Sequence, residues 1–168
     1  MIDCTIITPC SRPENLSEMS KHIPTECQWV IVYDQGVKPE NVDAQHYIPG
    51  FKDKFGNELR NYGIEKSESE WLYFLDDDNI IHADWWDSVK DIKTDAQIIT
   101  WGQLNKDNSI RLNPTDTPKV NRIDTACYMV RKSDKRWNDK YQADGYFAQE
   151  HNPVHMINKY LSYYNYLR

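Results

Sequence analysis

Three consecutive aspartates, Asp76, Asp77 and Asp78, follow five apolar side chains in the stretch SEWLYFLDDDNII at residues 69–81. In a chain whose formal net charge is −6, crowding three carboxylates at the end of an apolar run is unfavourable unless a cation joins them. Residues two apart in extended backbone point the same way, so Asp76 and Asp78 share a face and Asp77 points away. Two hard carboxylates side by side suit Mg²⁺ or Mn²⁺, which commonly bridge one or two protein carboxylates to substrate phosphates. An acidic protein can then hold an anionic diphosphate through the metal. The plainer reading is a solvated acidic turn, with Asp76 capping the next segment. An EF-hand is excluded, because Ile80 and Ile81 stand where a ligand and a glycine are needed.

The elements that must position these groups can be read from the pattern around them. CTIIT (4–8) reads as a first strand, followed by a helix over 11–23 in which Ser11 and Glu14 have capping-box spacing and Pro13 lies in the first turn. WVIVYD (29–34) is a second strand and HYI (46–48) a short third. A helix is predicted over 57–69, with Gly63 inside it; an interior glycine is usually kept where another backbone or a ligand comes close. WLYFL (71–75) has no polar alternation, so both its faces should be covered, as in a central parallel strand. A helix over 84–92 with Asp84 at its N-cap and a strand over 97–101 complete this half. Residues 102–122 read as a loop or irregular hairpin that orders when ligand binds, and 124–133 as a strand. The remainder reads as mostly helical, with Val154, Ile157, Leu161 and Tyr164 on one face, a possible homo-oligomer contact.

The chain has 168 residues, 39% hydrophobic and 27% charged, the profile of one globular domain. The absence of a Lys/Arg stripe argues against a nucleic-acid partner. No apolar run approaches the roughly 18 residues of a membrane span, and the N-terminus has no signal-peptide pattern. The four cysteines form no C-x-x-C pair and read as reduced thiols. Together these features predict a cytoplasmic protein without an integral membrane segment.

TIITPCSRPENL, then WVIVYDQG, then LRNYGIEKSESEWLYFLDDDNII, in that order over roughly the first 85 residues, resembles the GT-A fold of nucleotide-sugar glycosyltransferases, most closely the family 2 type. Those enzymes share a first strand ending in Thr-Pro, an Arg-Pro-Glu turn, a second strand ending in Asp, an Arg-Asn-x-Gly helix and an apolar strand running into Asp-x-Asp. The resemblance implies an α/β fold: a single GT-A-type, Rossmann-like domain with a mostly parallel central sheet flanked by helices. Residues 1–101 would form the nucleotide-sugar half and 102–168 the acceptor side. It implies a hexosyltransferase-type reaction from a nucleotide-sugar donor, usually UDP-linked, to a carbohydrate or glycoconjugate acceptor, with Mn²⁺ or Mg²⁺ as cofactor.

By the same resemblance Pro9 and Arg12 lie near the nucleoside, Asp34 near the base and Arg60 near the nucleotide. Gln35 stands where family members often have a second aspartate. Asp76 contacts the ribose or supports the metal, Asp77 is grouped with the donor contacts, and Asp78 ligates the metal. His155 is a further candidate ligand, four residues after His151, although Pro153 lies between them. An inverting enzyme needs a carboxylate base. Asp144, before Gly145 at a possible helix start, fits that position, with Glu150 second and Asp124 third. Asp144 and Glu150, on one helix, would diverge by about 120° and not act as a pair.

Other readings of the same residues are a non-catalytic nucleotide-sugar-binding module and a haloacid-dehalogenase-type phosphatase with Asp76 as nucleophile. The latter motif normally opens its fold, and it leaves the Arg-Asn-x-Gly helix unexplained. A nucleotidyltransferase would carry a Gly-rich phosphate loop with a lysine where this chain has TPCSRPENL.

Overall fold

Alternating side chains of the central strands are buried on both faces of one sheet, so helices must cover both. The computed structural model describes residues 1–53 and 55–168, and among these nine strands form one sheet. In chain order they are β1 (Cys4–Cys10), β2 (Gln28–Tyr33), β3 (Gln45–Tyr47), β4 (Trp71–Phe74) and β5 (Ile80–Ile81), then β6 (Ile98–Asn105), β7 (Ile110–Leu112), β8 (Tyr128–Arg131) and β9 (Val154–Tyr164). The helices are α1 (Leu16–Met19), α2 (Asn57–Lys66), α3 (Trp85–Val89) and α4 (Ala143–Gln149). Strand order across the sheet is β3-β2-β1-β4-β8-β6-β9-β5, with β7 hairpinned onto β6.

Ile6, Ile31 and Tyr73 face a core shared with α1 and α3, through Leu16, Met19, Trp85 and Val89. Their strand neighbours Ile7, Val30, Val32 and Phe74 face the opposite core, with Leu59 and Ile64 of α2 and Phe147 and Ala148 of α4. This period of two explains the missing alternation in WLYFL, since both faces are apolar. Gly63 lets α2 sit close on β1: a Cβ there would lie 2.4 Å from Ile7 Cγ2. The sequence expectation for this glycine was a close approach of another backbone or a ligand; its neighbour is a core side chain.

The structure corrects three expectations. The sheet is mixed rather than mostly parallel. β3, β2, β1 and β4 run parallel and β9 is parallel to β6, whereas β8 is antiparallel to both β4 and β6. The predicted helix over 11–23 is broken into α1 with a 3₁₀ turn on each side, Pro13–Asn15 and Ser20–His22. Ser11 does not cap it, because both its N–H and its hydroxyl donate to Asp77 instead.

The last segment is helical only through α4. Pro153 cannot continue a helix, and the residues after it, rich in tyrosine, add β9 beside β6 from Val154 to Tyr164. Val154, Ile157, Leu161 and Tyr164 have helical spacing by coincidence, since a long-range ladder decides the segment. Elsewhere the structure follows the expectations more closely. Residues 102–112 belong to the β6–β7 hairpin, Asp124 caps a 3₁₀ turn before β8, and Asp84 occupies the N-cap of α3 without a side-chain capping bond. Among the described residues no helix is long and apolar enough to cross a membrane.

Candidate active site at the carboxyl edge of the sheet

The carboxyl ends of β1, β2 and β4 open onto a cavity of about 770 Å³ that also takes in the first turns of α2 and α4. This is where open α/β sheets bind ligands. Pro9, Arg12, Asp34, Arg60, Asp76, Asp77, Asp78 and Asp144 all line it. Glu150 does not: it stands exposed at the C-cap of α4. His155 lies on β9 opposite Ile99, away from the cavity lining, and on a strand it no longer shares a helical face with His151. His151 is buried beneath α4, where its Nδ1 donates to the Phe147 carbonyl (2.8 Å) and burial lowers its pKa to about 4.

The three aspartates have three different environments. Asp77, 2% exposed, is committed to the turn after β1. Its Oδ2 accepts the backbone N–H groups of Ser11 (2.6 Å) and Arg12 (2.8 Å) and the Ser11 hydroxyl (3.1 Å). Its Oδ1 accepts Arg12 Nε at 2.8 Å and is paired with Arg12 Nη2. Asp76 pairs with Arg60 Nη2 and accepts the Thr125 hydroxyl at 3.2 Å. Arg60 is itself held from behind, donating to the Phe55 carbonyl (2.9 Å) and Asn57 Oδ1 (3.0 Å), with its guanidinium over the Trp137 ring.

Asp78 is 3% exposed, yet among the described residues its Oδ2 has no hydrogen-bond partner. Two guanidiniums lie at ion-pair distance instead, Arg12 Nη2 at 3.0 Å and Arg168 Nε at 2.6 Å. Burial raises the Asp78 pKa and Asp76 adds to the rise, while the two arginines oppose it.

Asp144 lies in the first turn of α4 and, among the described residues, its side chain accepts only the N–H of Gly145, at 2.8 Å. Burial pushes its pKa up to about 6, with Asp124 and Asp76 reinforcing the rise and the Gly145 N–H and Arg60 opposing it. Gly145 is needed where it stands, because a Cβ would come within 2.5 Å of the Val120 Cα. A carboxylate held near neutrality beside a cavity is suited to taking up a proton. Asp124 differs, being paired with Arg111 at 3.0 Å and bonded to the N–H of Ala126.

The sequence reading missed several residues of this cavity. Asp53 accepts the N–H groups of Glu58 (2.5 Å) and Leu59 (3.2 Å), supplying the cap that the left-handed Gly56 cannot. An aspartate just ahead of a helix was the available signal. Arg111 and Arg168 come from β7 and from the turn after β9, so only the sheet pairing brings them in. Tyr141, 82% exposed, meets Phe55 edge-on at 5.6 Å between the starts of α2 and α4.

Among the described residues no three His, Cys, Asp or Glu side chains are grouped to hold a metal. The donors on offer are the buried Asp78 Oδ2, ion-paired with Arg12 and Arg168, and the neighbouring Asp76, paired with Arg60. A small hard ion that keeps waters and takes substrate phosphates needs no more from a protein than one or two carboxylates. The residues therefore fit Mn²⁺ or Mg²⁺ arriving with a diphosphate.

No protein-family model matches the sequence, and no curated protein does. The fold is similar to that of S. aureus TarS. Crystal structures of its residues 1–349 align with TM-scores of 0.73 alone, 0.72 in complex with UDP and 0.74 in complex with UDP-GlcNAc, at 13%, 14% and 15% identity. They cover 96–97% of this chain, which spans only 58–60% of theirs. At this identity the likeness is one of fold.

Proposed function

We propose that this chain is a metal-dependent, inverting glycosyltransferase that moves a sugar from a UDP-linked donor to a carbohydrate or glycoconjugate acceptor. The observation that carries the reading is the meeting of two unlike carboxylates in one cavity: the buried Asp78 oxygen, held among the described residues only by ion pairs to Arg12 and Arg168, and the proton-accepting Asp144. The fold shared with TarS, whose structures include UDP and UDP-GlcNAc complexes, supports the choice of donor.

In this reading the nucleoside lies over Pro9, Arg12 and Asp34, with Arg60 near the nucleotide. Asp78, helped by Asp76, would hold Mn²⁺ or Mg²⁺, which stabilises the negative charge that develops on the leaving diphosphate. The acceptor hydroxyl attacks the anomeric carbon as the bond from that carbon to the diphosphate oxygen breaks. Asp144 takes the hydroxyl proton. A pKa near 6 leaves most of Asp144 ionised at pH 7, while making it a better base than an ordinary aspartate.

A binding module has no use for Asp144, so the two readings separate by turnover of the UDP-sugar donor, with UDP titration testing the metal seat they share. Calorimetry of UDP into the protein with and without Mn²⁺ should give metal-dependent binding that Asp78→Ala abolishes. Asp144→Ala should leave that binding intact and remove turnover. Metal-independent binding unaffected by Asp78→Ala would sink the proposal.

A further inference from the structure

Asp78 Oδ2 faces two guanidiniums, and they are held very differently. Arg12 is tied to Asp77 through Nε and Nη2, and its own backbone N–H donates to the same carboxylate. Arg168 has no side-chain partner among the described residues other than Asp78, and its side chain is 58% exposed. Its backbone, however, is anchored to the aspartate turn. The Leu167 N–H donates to the Asp78 carbonyl at 3.1 Å, and the Asn165 N–H to Asn79 Oδ1 at 2.8 Å. This cation is thus fixed at its root beside the carboxylate, while among the described residues its exposed head is held by that carboxylate alone.

We infer that Arg168 is an exchangeable cation on Asp78: it pairs with the carboxylate before the donor binds, gives it up to the incoming divalent ion, and turns to the donor's diphosphate. The inference rests on the proposed reading of Asp78 as metal seat. One buried carboxylate oxygen cannot accept two guanidiniums and a divalent ion at contact distance, because like charges repel. Arg12 cannot leave without stripping Asp77 of its partner, so Arg168 is the one that yields. Once displaced, its planar, five-donor head lies next to the phosphates, which guanidinium recognises well. Arg168 is therefore a positioning residue that opposes the bare metal and favours the metal–nucleotide pair.

These two roles predict effects of opposite sign. Free Mn²⁺ is measured by electron paramagnetic resonance in titrations of the wild type, Arg168→Gln and Arg168→Lys, each without nucleotide and with UDP. Arg168→Gln should bind Mn²⁺ alone roughly five- to tenfold more tightly, the effect of removing one contact charge whose own side chain is more than half exposed and so largely screened by water. At saturating Mn²⁺ its affinity for UDP should fall by a similar factor, and Arg168→Lys should lie between it and the wild type. A purely structural role would weaken both affinities together. That result, or no change in either, overturns the exchange and leaves the metal seat standing. If the wild type binds no UDP at any Mn²⁺ concentration, the metal-seat reading fails and this inference fails with it.

Discussion

Replacing Asp77 by alanine tests whether the middle aspartate serves the ligand or the fold. The side chain is buried and receives two backbone N–H groups, one hydroxyl and the two-pronged guanidinium of Arg12. Its truncation leaves the N–H groups of Ser11 and Arg12 without partners, at about 1–3 kcal/mol each where they are shielded from water. Ser11 is exposed and Arg12 half-buried, so water recovers part of this, and the loss of the ion pair must be discounted for the same reason. A net cost of about 3–4 kcal/mol is the result. With a urea dependence of about 2 kcal/mol per molar, the unfolding midpoint should drop by nearly 2 M. Asp77→Asn should fare little better, because one of its groups becomes a donor aimed at donors. The assay is urea unfolding followed by tryptophan fluorescence, with UDP titration on the folded variant. If Asp77→Ala unfolds at the wild-type midpoint but no longer binds UDP, Asp77 is a donor contact and the clamp account is wrong.

Asp144 has its pKa raised in the fold to about 6 from the usual 3.8, so the folded state binds this proton more tightly than the unfolded chain. Its ionisation costs stability as pH rises between about 4 and 6, and Asp144→Asn should be more stable than wild type by up to about 3 kcal/mol at pH 8 but not near pH 4; equal urea midpoints at pH 8 would refute the raised value. With Asp144 as the base of the proposed reaction, log kcat/KM of the wild type should rise with unit slope below about pH 6 and flatten above it. Gly145→Ala must push α4 off the Val120 backbone; a loss of about 1–3 kcal/mol is expected, with turnover falling further than UDP affinity because Asp144 moves and Asp78 does not.

The parts of this site that could be read from the sequence are those set by neighbours in the chain. An apolar run without alternation announces a strand covered on both faces, and the aspartates after it must then lie at the sheet's edge. Asp144 before a glycine at a helix start is equally local. The role of Asp77 was hidden because its donors lie 65 and 66 residues away, at Arg12 and Ser11. That same pairing removes Ser11 from the capping box its spacing suggests. β9 could not be read because Val154–Tyr164 pairs with β6 more than fifty residues earlier, and long-range ladders override helical spacing. Arg168 inherits the problem, since it reaches Asp78 only by way of that strand. The mixed sheet likewise depends on the direction in which β8 enters between β4 and β6, which no local pattern encodes.

All four cysteines, Cys4, Cys10, Cys27 and Cys127, are free and buried. Burial also keeps three of them protonated: Cys10 has its pKa pushed up to about 12, and Cys4 and Cys127 lie well above the ordinary thiol range. Since only an accessible thiolate reacts quickly, the native chain should be nearly inert to alkylating reagents, and each modification must wait for the backbone around it to open. The protein thus carries its own clock. Cys10 lies in the cavity wall and Cys127 closes the turn that begins at Asp124, so the rates at these two positions time the opening of the sheet's carboxyl edge. Cys4, at the opposite end of β1, times the sheet itself.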